Sequence, residues 1–144
     1  MTEAAEYMDR VGDALGGEFV NGRLRLALDI SSVTEAQIQK KKFVQQQKHL
    51  RQIKREINQD MRYIRDAYKD ASADVQPSSV SIFAGLFGKR GISKSDVAQQ
   101  RRDLRQRRDN TLEPYNDAKL TIDDLLIQID GAKLALTEYI NDNK

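Results

Sequence analysis

A phosphate-binding loop would be sought at Gly85-Leu86-Phe87-Gly88-Lys89-Arg90. Such a loop cradles phosphate with backbone N–H groups. It needs a glycine five residues before its Gly-Lys pair and a Ser or Thr directly after. Phe83 and Arg90 stand at those positions, and the preceding residues do not read as a strand, so nucleotide binding of that kind is not expected. Asp123 and Asp124 are adjacent. On a helix they diverge by about 100° and cannot share a metal ion or a proton. The one histidine, His49, sits between Lys48 and Leu50 with no second ligand at metal-binding spacing, and reads as a surface or boundary residue. There is no cysteine, which removes disulfides, thiolate metal sites and a cysteine nucleophile. No cluster of acid, base and nucleophile remains. The chain is expected to be non-catalytic, with no cofactor, no metal and no small-molecule substrate.

Two segments carry binding chemistry instead. Residues 81–90 set Ile82, Phe83, Leu86 and Phe87 on a glycine-rich turn and follow them with Lys89 and Arg90. Loops are usually polar, and an apolar cluster on one marks a contact surface. This one suits a groove on a protein partner, or shallow insertion into an anionic membrane surface. The alternative is that it folds back and caps its own end of the molecule. The second segment, residues 89–108, holds eight basic and two acidic side chains. Arg101, Arg105 and Arg108 share one helix face and Arg102 flanks it. Four such cations suit non-specific contact with phosphates, since no nucleic-acid motif accompanies them. The competing role is structural, with the stems of Arg101 and Arg108 packed on Tyr68 and Met61 and Asp60 beside Arg108.

The net charge of +2 hides a segregation that bears on both segments. Residues 1–39 carry three basic and seven acidic side chains, residues 40–108 eighteen and seven, and residues 109–144 three and eight. A basic middle either meets an anionic partner or is neutralised by acidic ends that fold back on it. Lys40, Lys41, Lys42, Lys48 and Arg51 are expected to face Asp117, Asp123 and Asp124, which leaves residues 89–108 as the uncompensated end.

The elements that position these residues follow from periodicity. Ala4, Tyr7, Met8, Val11 and Leu15 recur at helical spacing and Gly16-Gly17 ends the run. Leu24, Leu26, Leu28 and Ile30 alternate with mostly polar residues after Asn21-Gly22, which predicts a β-hairpin. Ser32 and Glu35 fit a capping box that opens a long helix. Ala36, Phe43, Leu50, Ile57, Ile64 and Ala71 then stand seven apart, with Ile53, Met61 and Tyr68 beside them, a coiled-coil-like stripe over roughly 60 Å of helix. Pro77, Gly85, Gly88 and Gly91 interrupt it. A second heptad run of Val97, Leu104, Thr111, Ala118, Leu125, Ala132 and Tyr139 predicts a partner helix, with a kink or break near 109–114 at Pro114. Doubling the chain back sets Ala71 against Val97, Ile64 against Leu104, Ile57 against Thr111, Leu50 against Ala118, Phe43 against Leu125 and Ala36 against Ala132. Leu126, Ile127, Leu134, Ala135 and Ile140 widen the apolar face near the C-terminus and call for cover by the N-terminal module.

The expected fold is mainly α: a long antiparallel helical hairpin with a small N-terminal helix and β-hairpin packed at its base. It forms a single domain over residues 1–144, with the N-terminal module at 1–31, helices at 32–73 and 94–142, and a tip loop at 74–93. The acidic, polar N-terminus and the absence of a long apolar run point to a cytoplasmic protein. A two-helix shaft buries little, so a homodimer is expected. The function expected is a non-catalytic interaction or scaffold module that presents the tip to a protein partner. The alternative is non-specific binding of nucleic acid or an anionic membrane surface through residues 89–108.

Overall fold

The computed structural model describes residues 2–16, 19–20, 23–24, 30–74 and 94–144, with side chains at 2–16, 30–73 and 96–144. Three helices dominate: α1 (Ala4–Leu15), α2 (Val33–Asp74) and α3 (Lys94–Asp142). Strands β1 (Phe19–Val20) and β2 (Arg23–Leu24) pair antiparallel, Phe19 opposite Leu24 and Val20 opposite Arg23. A β-hairpin packed as an element of the base is not supported. The described pairing is two residues per strand, too short to present an apolar face, and Leu26 and Leu28 lie outside the described residues.

Local chemistry sets the helix ends. α1 stops at Gly16, whose φ of 60° is a left-handed conformation that glycine adopts without a Cβ penalty. At the start of α2 the Glu35 N–H donates to Ser32 Oγ over 3.1 Å. The Glu35 carboxylate accepts from the Ser31 N–H at 3.0 Å and the Ser31 hydroxyl at 2.8 Å. The capping box is thus set one residue wide, with Ser31 taking the return bond.

α3 does not break near 109–114. It runs unbroken with Pro114 inside it. The proline removes the N–H that would bond the Asn110 carbonyl. Asn110 and Pro114 are both exposed, so water can serve that carbonyl.

The chain groups into two compact units, one of Met1–Asn58 with Asn116–Lys144 and one of Gln59–Tyr115. In the first, α1 lies antiparallel along α2. Arg10 Nη2 pairs with Glu56 Oε2 at 2.5 Å, while Ala14 lines a common cleft with His49. The Arg10 guanidinium also sits over the Tyr7 ring, 5.6 Å from its centroid. Tyr7, Val11 and Leu15 are buried, as are Phe43, Leu50 and Ile57 of α2 and Ile122, Leu125, Ile129 and Leu136 of α3. Ile127 and Leu134 are not part of this core, at 69% and 61% exposure. They lie about 180° around α3 from Leu125, and the helix packs on the Leu125 side only. Ala135 is exposed too, Leu126 is half-buried and Ile140 is buried. In the second unit α2 packs on α3 through Met61, Ile64, Val97, Leu112 and Tyr115, all buried.

The alignment of α2 on α3 differs from the one expected. Gln47 bonds the Leu126 carbonyl, Asp130 and Lys133, where Thr121 was expected level with it. Lys54 pairs with Asp123, where Pro114 was expected. In the second unit Tyr68 meets Thr111, where Gln100 was expected. Each partner lies five or more residues nearer the C-terminus. Helical side chains lean toward their own N-terminus by up to a turn, which accounts for part of the offset. The rest is about one heptad, which sets Phe43 level with Ala132, Leu50 with Leu125 and Ile64 with Thr111. A seam that repeats every seven residues is filled almost equally well by alignments one heptad apart.

Candidate anion-binding site

Within the unit of Gln59–Tyr115, α2 and α3 wall a cleft of about 490 Å³. Arg65 and Lys69 stand one turn apart on α2 and so share a face, which turns toward α3. Arg101, Arg105 and Arg108 stand at the corresponding spacing on α3. All five line the cleft, against one carboxylate, Asp66. Tyr68 and Leu104, both half-buried, supply an apolar wall.

Hydrogen bonds fix two of the walls. The Thr111 hydroxyl donates to the Arg107 carbonyl at 2.7 Å. Its hydrogen is therefore committed, and the Tyr68 hydroxyl donates to Thr111 Oγ1 at 3.3 Å. The Tyr68 ring is held across the two helices in this way. Arg108 is anchored by Nε and Nη2 on Asp109 Oδ1, both at 3.1 Å. Arg101 is half-buried, and its Nε is buried without a hydrogen-bond partner. A buried donor left unpaired costs desolvation energy and seeks an acceptor.

The cleft brings together three of the four arginines singled out in the sequence. Arg102 is not among them. Its Nε turns back along α3 to the Ala98 carbonyl at 3.4 Å, and the residue is exposed outside the cleft. Arg65 and Lys69 were missed because residues 54–74 are balanced in charge overall. The available signal was their spacing, four apart on the turn that faces α3. Ile82, Phe83, Leu86, Phe87, Lys89 and Arg90, the expected tip contact, lie outside the described residues, as does the loop that faintly resembles a phosphate binder.

The remaining candidates carry local roles. Asp123 pairs with Lys54, and Asp124 accepts from Gln128 Nε2 at 2.6 Å. His49 is exposed at the edge of the cleft between α1 and α2. Among the described residues, no three His, Asp or Glu side chains are grouped to hold a metal ion. Nor is any helix among them long and apolar enough to cross a membrane. In comparisons with known proteins the chain matches no family model, no curated protein and no solved structure.

Proposed function

We propose that the protein is a non-catalytic binding module whose working surface is the five-cation cleft, and that the cleft takes the phosphodiester backbone of single-stranded nucleic acid. The observation that carries this reading is the convergence of Arg65, Lys69, Arg101, Arg105 and Arg108 on one cavity lined by a single carboxylate, Asp66, with Arg108 paired outside the lining to Asp109. Guanidinium groups offer planar paired donors that match phosphate oxygens, and a walled cleft lowers the screening they would meet on a flat surface. Arg101 is half-buried at the wall of the cleft, so its guanidinium carries part of the desolvation cost before any anion arrives. The Tyr68 ring offers a face on which one base can stack. The cations are assigned to phosphates, which carry no sequence information, so sequence-independent binding is expected.

The test is fluorescence anisotropy with a labelled random-sequence single-stranded oligonucleotide over a range of salt concentrations. With about four phosphates neutralised, affinity should fall roughly 50-fold between about 50 and 200 mM salt. Absence of binding at the low end contradicts the reading. Parallel titrations with duplex DNA and with anionic vesicles separate a strand-specific cleft from a general attraction to negative surfaces. Tighter binding to vesicles than to the oligonucleotide would move the assignment to a membrane surface.

A further inference from the structure

α3 in the unit of Met1–Asn58 and Asn116–Lys144 has two apolar sides, and α1 and α2 leave one of them open. Leu120, Ile127 and Leu134 are 65%, 69% and 61% exposed. They stand seven residues apart and therefore nearly in line, drifting only about 20° per heptad. Beside them Asp117, Asp124 and Glu138 keep the same heptad phase and are all exposed. The outward face of α2 has the opposite character. Lys41, Lys48 and Arg55 are also seven apart and exposed, and Ile38 adds an apolar side chain that is 63% exposed. These cations lie across α2 from Phe43 and Leu50, the side chains buried in the core. The carboxylates likewise lie off the buried arc of α3, so neither ladder serves the α2–α3 seam.

An apolar line flanked by charges of one sign, and a helix carrying the complementary sign at the same period, form the two halves of a coiled-coil contact. We infer that the unit pairs with a second copy of this chain, the outer face of α3 in one copy lying along the outer face of α2 in the other. The charges select this arrangement. Packing α3 on α3 would oppose carboxylates with carboxylates, whereas α3 on α2 opposes Asp117, Asp124 and Glu138 with lysine and arginine. A two-fold axis makes each contact twice and closes the assembly at two copies. The aliphatic stems of Lys41, Lys48 and Arg55, with Ile38, cover the leucines and isoleucine while their charged ends reach the flanking carboxylates. This inference is independent of the cleft, whose residues belong to the other unit.

Sedimentation velocity at concentrations up to about 100 µM tests it, a range in which micromolar association is read directly. The unmodified protein should sediment as a dimer. The double substitution Ile127→Lys/Leu134→Lys should sediment as a monomer with unchanged helical circular dichroism, because both sites are exposed. Lys41→Glu/Lys48→Glu and Asp117→Lys/Asp124→Lys should each weaken self-association at least tenfold, and a mixture of the two should recover the dimer. A parent protein that stays monomeric overturns the inference. So does a dimer that survives the two lysines, or a mixture that fails to associate.

Discussion

Gln47 donates from Nε2 to Asp130 Oδ1 over 2.7 Å, and it does so from a position only 1% exposed. Its other groups are engaged as well. Nε2 also reaches the Leu126 carbonyl at 3.5 Å, and Oε1 accepts from Lys133 Nζ at 3.0 Å. A buried polar residue with this set of partners stabilises one alignment of the two helices over its neighbours, because a shift of one heptad would strand the amide among other side chains. Lys54–Asp123 in the same unit marks the same level.

This alignment has a direct chemical readout. Zero-length carbodiimide coupling joins lysines to carboxylates already in contact. Peptide mapping should recover a Lys54–Asp123 crosslink. A map without Lys54–Asp123 would contradict this alignment, because a shift of one heptad puts Asn116, which cannot couple, where Asp123 stands.

Replacing Gln47 should be costly for its size. Gln47→Ala removes two charge-assisted hydrogen bonds and leaves a cavity, so unfolding free energy should fall by about 2–3 kcal/mol. Gln47→Leu refills the volume. It should recover part of that loss while lowering the yield of the Lys54–Asp123 crosslink. A Leu variant that keeps the parent crosslink pattern would show that Gln47 does not select the alignment.

The heptad stripes in the sequence correctly announced two long helices and the core positions Phe43, Leu50, Ile57 and Leu125. They could not choose among alignments, because apolar spacing repeats every seven residues whereas the choice is made by polar atoms. Gln47 is one of three glutamines in a row, with nothing local in the sequence to distinguish it. Ile127 and Leu134 were misplaced because apolar character predicts burial only where a partner lies on that side. The cleft arginines were visible as a basic run. Their convergence with Arg65 and Lys69 was not, because it depends on how α2 faces α3.

α3 contains two weak helix formers whose replacement should stabilise it. Pro114 is exposed within the helix and leaves the Asn110 carbonyl without its usual bond. Pro114→Ala should raise the unfolding free energy by about 1–3 kcal/mol. Gly131 is exposed, and a Cβ built there meets nothing within 4 Å, so Gly131→Ala should add about 0.5–1 kcal/mol. Urea unfolding monitored by circular dichroism reads both. A loss of stability in either variant would mean that the break or the close approach matters structurally.

Glu35 makes the start of α2 sensitive to pH. Hydrogen bonds from the Ser31 N–H and hydroxyl hold its carboxyl below the usual carboxylate range. A depressed folded-state pKa means that the charged form favours the folded state. The stabilisation is fully present above the ordinary glutamate range and is lost as pH falls through the lower folded value. Melting of the parent and of Glu35→Ala should differ near neutral pH and converge as the pH falls through the acid range. A difference that does not change with pH would assign the effect of the substitution to helix propensity.

The measurement that bears most directly on the proposed function compares Arg105 with Arg102, two exposed arginines three residues apart on α3, one lining the cleft and one outside it. Each is changed to glutamine, and affinity for a single-stranded oligonucleotide is followed against salt. Arg105→Gln should weaken binding about five- to tenfold near physiological salt and lower the salt slope by about one, while Arg102→Gln should leave both nearly unchanged. Equal losses from the two substitutions would mean that the basic surface acts as a whole and that the cleft is not the site.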